Sequence, residues 1–248
     1  MSKSSGEAVH PFHRLQQELA TLISNTSPGE RLPAEPDLAK QLGVSRATLR
    51  EAMRTFEGQG LIRRRQGVGT FVVSNSHIID SGLEVLQSIE TLANKIQLNV
   101  SMGDLNIERI EANSEQAGEL KVEVGTPLIK VSRVIMADDR PVAYLIDILP
   151  DDILDPQDLR DGFTGSVLDF LLKQGSLDLT NSLTEIRAVA TPSEIARMLE
   201  IQRGDVLLHF SALLYTSMGR AVDLSYSYFL PGYFRFHLVR RVGETHSV

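Results

Sequence analysis

The chain holds 248 residues with a formal net charge of −7, 42% hydrophobic and 23% charged residues, and no Cys. That is enough chain for one large domain or two modest ones, and the missing Cys excludes a disulfide framework, a thiolate metal site and a cysteine nucleophile. No apolar run approaches the ~18 residues of a membrane span, and residues 1–9 lack the apolar stretch of a secretory signal, so the expected address is the cytoplasm.

The net charge hides its distribution. Residues 1–75 carry 10 Lys/Arg and 7 Asp/Glu, a net of +3, while residues 76–248 carry 15 and 25, a net of −10. A basic head on an acidic remainder suggests two jobs, of which only the first tolerates a phosphate backbone.

In chain order, residues 1–9 read as a disordered tail. From His10 the spacing of Phe12, Leu15, Leu19, Leu22 and Ile23 predicts a helix that ends at Ser27-Pro28-Gly29. A second helix is expected over Glu35 to Leu42, with Gly43 ending it. Ser45 is a good N-cap for a third, over Arg46 to Gln59, with Leu49, Met53 and Phe56 inward and Gly60 stopping it. Strands Leu61 to Arg65 and Thr70 to Val73 flank the turn Gln66-Gly67-Val68-Gly69. This is the outline of a winged helix-turn-helix over residues 10–73.

Residues 74–82 read as a linker, followed by a helix over Leu83 to Ile96 with Leu83, Leu86, Ile89, Leu92 and Ala93 inward, so that 74–95 form linker and helix. Residues 96–243 form the second domain. Strands are expected at 104–112, 127–138, 141–149, 178–190, 206–217, 220–230 and 233–240, with short helices at 114–121, 166–174 and 193–200. Strands joined as meanders with helices beside them give an α+β antiparallel-sheet domain.

The strongest chemical signal is Gly43-Val44-Ser45-Arg46-Ala47-Thr48-Leu49-Arg50. A helix opens after a tight turn, and the N-terminal end of such a helix points into the major groove. Arg46 and Arg50 share a face at i,i+4, and each can hold guanine O6 and N7 bidentately. Ser45 and Thr48 suit phosphate oxygens. Gly67 and Gly69 leave the wing tip without bulk, and Arg63, Arg64 and Arg65 line its approach. Isolated arginines are ordinarily solvated surface; the order of helix, turn, capped basic helix and basic wing is what points to DNA.

These residues also carry a family resemblance. Pro28-Gly29-Glu30-Arg31-Leu32-Pro33-Ala34-Glu35, Leu38-Ala39, Gly43 to Arg46, Thr48 to Ala52, Gly60-Leu61-Ile62 and Gln66 to Val72 resemble the GntR family of bacterial transcription factors over about 12–73. The resemblance implies a DNA-contacting set of Arg31, Ser45, Arg46, Thr48, Arg50, Arg64, Arg65, Gln66, Gly67 and Gly69. Pro36 departs from it, standing where many relatives have a basic DNA-contacting residue.

Farther on, Gly125 to Val134, Asp138 to Ala143, Gly165-Ser166, Ala188 to Leu199 and Tyr233 to Phe236 resemble the HutC-type effector domain, the UTRA domain, over about 95–240. That implies a fold similar to chorismate lyase and a small effector, often anionic, bound in a cleft. Implied effector contacts are Ser81 and Gly82 at the start of the linker helix, Arg133, Ser166, Asp223 and Tyr228. The plainer readings stand beside these: Ser81 and Ser166 as N-caps, Arg133 paired with an acidic neighbour. Ile135 and Leu145 replace an Arg and a Glu of many sugar-phosphate-responsive relatives. The effector is therefore expected to carry one anionic group and a less polar body.

The resulting expectation is a homodimeric, effector-responsive transcriptional regulator, a repressor on a palindromic double-stranded operator. It needs no cofactor or metal. The alternatives are an architectural DNA-binding protein that ignores small molecules, and an enzyme built on the lyase-like domain. Against the enzyme, the six His residues fall in no metal-type spacing, and no nucleophile–base pair stands out.

Overall fold

The computed structural model describes residues 11–58, 61–65, 67–73, 79–159 and 163–239. Gln66, Gly60 and the expected tail at 1–9 lie outside the described residues. The chain divides into two compact units, Met1–His77 and Ile78–Val248.

In the first unit, α1 (Pro11–Ser24), α2 (Glu35–Gln41) and α3 (Arg46–Gly58) precede a hairpin of β1 (Ile62–Arg65) and β2 (Gly69–Val72). The core follows from side-chain spacing. Leu15, Leu19 and Ile23 form an i, i+4, i+8 stripe that meets Leu38 and Ala39 of α2 and Leu49, Ala52, Met53 and Phe56 of α3. Gly43, at φ 64°, reverses the chain between α2 and α3, and the Val44 N–H donates to the Ala39 carbonyl at 3.0 Å. Ser45 then caps α3: its Oγ accepts the Thr48 N–H at 3.1 Å.

The wing has one more strand-like segment than its sequence suggests. The Gly29 and Leu32 N–H groups donate to the Val72 and Thr70 carbonyls, each at 2.8 Å. Residues 29–32 thus line the other side of β2.

The second unit is built on a six-stranded antiparallel sheet in the order β4-β5-β6-β9-β8-β7. Its members are β4 (Val100–Glu111), β5 (Pro127–Ala137), β6 (Arg140–Pro150), β7 (Leu179–Ala190), β8 (Val206–Thr216) and β9 (Ala221–Phe229). The helices are α4 (Ile89–Lys95), α5 (Ser114–Leu120), α6 (Val167–Gln174) and α7 (Ser193–Met198). Two βαββ units stand side by side, β4-α5-β5-β6 and β7-α7-β8-β9, joined at β6–β9. Each helix crosses the seam: α5 packs on β9 and α7 on β6. The Asp138-Asp139 turn joins β5 to β6 with φ of 49° and 59° at its two residues, the backbone of a tight two-residue hairpin.

Two expectations fail here. Residues 79–82 are not linker but a strand, β3 (Ile79–Gly82), running parallel to β10 (Phe234–His237). The helix expected from Leu83 begins only at Ile89, where the Ser88 side chain caps it by accepting the Thr91 N–H at 3.0 Å. Leu83 and Leu86, placed inward by the helical reading, are 38% and 52% exposed. A side-chain cap ends the helix where it occurs, whatever apolar residues precede it.

Candidate nucleic-acid interface and effector site

At the start of α3, the wing and the chain entering α2 meet around one hollow of about 640 Å³. Arg31, Glu35, Pro36, Arg46, Arg50, Arg64, Arg65, Gly67 and Gly69 line it. Seven residues expected at DNA, all but Ser45, Thr48 and the undescribed Gln66, therefore surround a single concavity. Ser45 and Thr48 share a hydroxyl–hydroxyl hydrogen bond of 2.8 Å at the exposed start of α3.

The missed partner is Glu35. One carboxylate oxygen sits 2.8 Å from Arg50 Nε and the other 3.1 Å from Arg64 Nη2. This acid ties the recognition helix to the wing strand. Its motif position was visible in sequence, but the pairing needs α2, α3 and β1 assembled. Arg65 lies over the Phe71 ring, 5.7 Å from its centroid.

Gly69 occupies a wing position where a side chain would be strained. It has φ 139°, and a Cβ built there would lie 2.3 Å from Arg31 Nε. Gly69→Ala is expected to displace the Arg31 guanidinium and to weaken DNA binding about tenfold, by the loss of one charge-assisted contact. Fluorescence anisotropy with labelled operator measures this; unchanged affinity would remove Arg31 from the interface.

The second unit buries a polar cluster. Arg133 on β5 is 4% exposed; its Nη1 pairs with Asp147 on β6, and its Nε donates to the Gly165 carbonyl. Strand register explains the pairing: Arg133 stands opposite Leu145, with Asp147 two residues on along the same face. Asp147 stands opposite Ser225, which puts Asp223 on that face too. Burial, then the Asp147 charge and a hydrogen bond to it, push the Asp223 carboxyl well above the usual carboxylate range, although Arg133 pulls it down. Glu90 on α4 is also raised, chiefly by burial. Ser166 caps α6, accepting the Asp169 N–H at 2.9 Å, and Ser88 donates to Asp169 at 2.5 Å. The caps of α4 and α6 thus meet at one residue, Asp169, whose carboxylate accepts from Ser88 and whose N–H donates to Ser166.

The expected effector residues separate accordingly. Arg133, Ser166 and Asp223 come together. Tyr228 stands opposite Tyr144, on the other face of the sheet, tilted over His209 with ring centroids 4.6 Å apart. Ser81 and Gly82 lie on β3, not at a helix start, so the helix-terminus cradle expected there does not form. Ser81 instead donates to the Gly82 carbonyl at 3.0 Å. Ile135 and Leu145 face Arg133's side, while Ile146 and Ile148 face the other. Asp147, Asp169, Ser88 and Glu90 were not singled out in sequence. Asp147 had a signal, being the lone charge between Val142 and Leu149 in an otherwise apolar strand.

Comparison with known proteins agrees with both halves. Residues 12–72 match the bacterial regulatory proteins of the gntR family, and residues 97–235 match the UTRA domain. The HTH-type transcriptional repressor NagR of Bacillus subtilis is 26% identical over 214 residues, 86% of this chain and 87% of the relative. The histidine utilization repressor of Pseudomonas putida is 29% identical over 209 residues, 82% of each chain. The crystal structure of PhnF from Mycobacterium smegmatis superposes with a TM-score of 0.64 at 22% identity, covering 92% of this chain and all (100%) of that one. With its head and its sheet domain both matched, this chain belongs to the gntR family of bacterial DNA-binding transcriptional regulators, as a member that carries a UTRA effector-binding domain.

Proposed function

We propose that the chain acts as a cytoplasmic, homodimeric repressor that releases or grips a palindromic operator according to a bound metabolite. As a member of a family of regulators it is not an enzyme. The observation that carries the DNA reading is the hollow in which Arg31, Arg46, Arg50, Arg64 and Arg65 converge on the start of α3 and the wing. Bases are read by Arg46 and Arg50. Backbone is held by Ser45, Thr48, Arg64, Arg65 and Gln66, with Gly67 and Gly69 pressed close. Arg31 reaches from the wing's outer segment.

Repression follows the named relatives, which are repressors. Dimerisation would set two heads on half-sites ~10 bp apart or more. The effector reading rests on Arg133, buried beside apolar Ile135 and Leu145 on one sheet face. An effector with one anionic group and a partly apolar body would share Arg133 with Asp147, near Ser166 and Asp223. Because the caps of α4 and α6 meet at Asp169, occupation there biases α4, and through β3 the segment leading to the head. A coupling of a few kcal/mol suffices.

Binding-site selection on random duplex DNA tests the head: a palindromic consensus is expected. For the selected site, log K should fall linearly with log salt, and Arg65→Ala should reduce the slope by about one. Selection of no consensus would instead favour sequence-indifferent, architectural binding.

A further inference from the structure

The cluster around Arg133 contains more carboxylate than its single guanidinium satisfies. Asp147 and the Gly165 carbonyl already occupy Arg133 Nη1 and Nε. Asp223 is 6% exposed and is bonded to Asp147, yet its Oδ1 is buried with no hydrogen-bond partner among the described residues. Glu90 Oε1 is buried in the same state. It faces Gly165, 2.9 Å from where a Cβ on that glycine would stand, with Ile135 alongside. Asp169 adds a further carboxylate, one oxygen of which Ser88 engages.

Buried acceptors without partners are costly, and native proteins rarely leave them so without a reason. Here two lie beside one guanidinium, on the sheet face assigned above to the effector. Either would be satisfied by a hydrogen-bond donor. Asp223 and Glu90 are acids whose charged form burial disfavours, so a positively charged donor, which would let them ionise beside it, fits better than a hydroxyl. Burial pushes the Asp223 and Glu90 carboxyls upward against the pull of Arg133, and a cationic donor beside them would offset that cost.

We propose that the effector is amphoteric: its anionic end shares Arg133 with Asp147, and an ammonium or similar cationic donor on the same molecule bonds one of the two open acceptors, Glu90 Oε1 or Asp223 Oδ1. This rests on the effector reading of the Arg133 cluster. It narrows the chemical class from an anion with an apolar body to one that also carries an amine.

The test uses the full chain and isothermal titration calorimetry. The probes are short ω-amino carboxylates and ω-aminoalkyl phosphates, each beside its ω-hydroxy and unsubstituted counterpart of equal length. The amino probes are expected to bind roughly tenfold tighter than the hydroxy or unsubstituted ones. In the double variant Glu90→Gln, Asp223→Asn this preference should vanish, with thermal unfolding showing that the variant still folds. Equal binding of hydroxy or unsubstituted probes would overturn the amphoteric class and leave the anion reading intact. Failure of every probe to bind would overturn both. A preference that survives in the double variant would also overturn the assignment, by placing the amine elsewhere.

Discussion

Arg50→Ala is expected to cost about 1–3 kcal/mol of discrimination between operator and random DNA, one bidentate base contact. Arg50 is a sharper probe than its neighbours because the structure holds it in place. Its Nε meets Glu35 at 2.8 Å, and Glu35 is itself anchored to Arg64 at 3.1 Å. A held guanidinium gives up less conformational freedom on reaching a base edge than a freely rotating one. Removing it also leaves Glu35 facing the incoming DNA with only Arg64 to balance it. Binding to random duplex should weaken far less, since there one cation of several is lost. Competition gel shifts at fixed salt measure both quantities. A specificity ratio that matches the parent protein would show that α3 does not read bases through Arg50.

Arg133→Met is expected to destabilise the second unit by about 3–5 kcal/mol, the cost of leaving buried charge without its partner. The side chain is of similar length and apolar, so packing loss contributes little. The damage comes from Asp147, which keeps its place on β6 after the guanidinium has gone, beside Asp223 and close to Glu90. Chemical denaturation of the full chain, followed by a probe of the sheet domain, measures it. Asp223→Asn is the control. It preserves a donor to Asp147 and should be neutral or stabilising. Asp223 has a folded pKa above its unfolded one, so the native state holds more protons, and its contribution to stability is lost as pH rises above the ordinary carboxylate range. Asn removes that loss, so its advantage should grow with pH. If Arg133→Met melted like the parent, the buried pair would contribute nothing, and water would have to reach the cluster.

The head was largely legible from residues. Apolar spacing placed α1, α2 and α3, Gly43 and Ser45 punctuated them, and the capped basic start of α3 marked its chemistry. These are local signals, each contained within a few residues. What escaped was non-local. Residues 29–32 read as loop because their partner, β2, lies far along the chain. Glu35 read as a motif residue, although its role depends on arginines from two other elements. The same logic governs the second unit. Long alternating strands and turn residues gave the sheet, but the 83–96 helix failed because Leu83 and Leu86 happen to continue the apolar period of Ile89 and Leu92. Tyr228 and Arg133 looked like members of one site until strand register put them on opposite faces. The twofold βαββ pattern leaves no repeat of fixed period to read in the sequence, since packing can be shared while side chains differ.

The pairing of β3 with β10 has a consequence for the order in which the protein is made. β3 follows soon after the DNA-binding head, but its only strand partner among the described residues is β10, at 234–237. During synthesis the head can fold as soon as it clears the ribosome, because its core is complete within its own residues. β3 must wait for β10. Until then the head is a DNA reader whose controller is unfinished. β10 closes that interval, so the molecule becomes answerable to its metabolite only when that strand has been added.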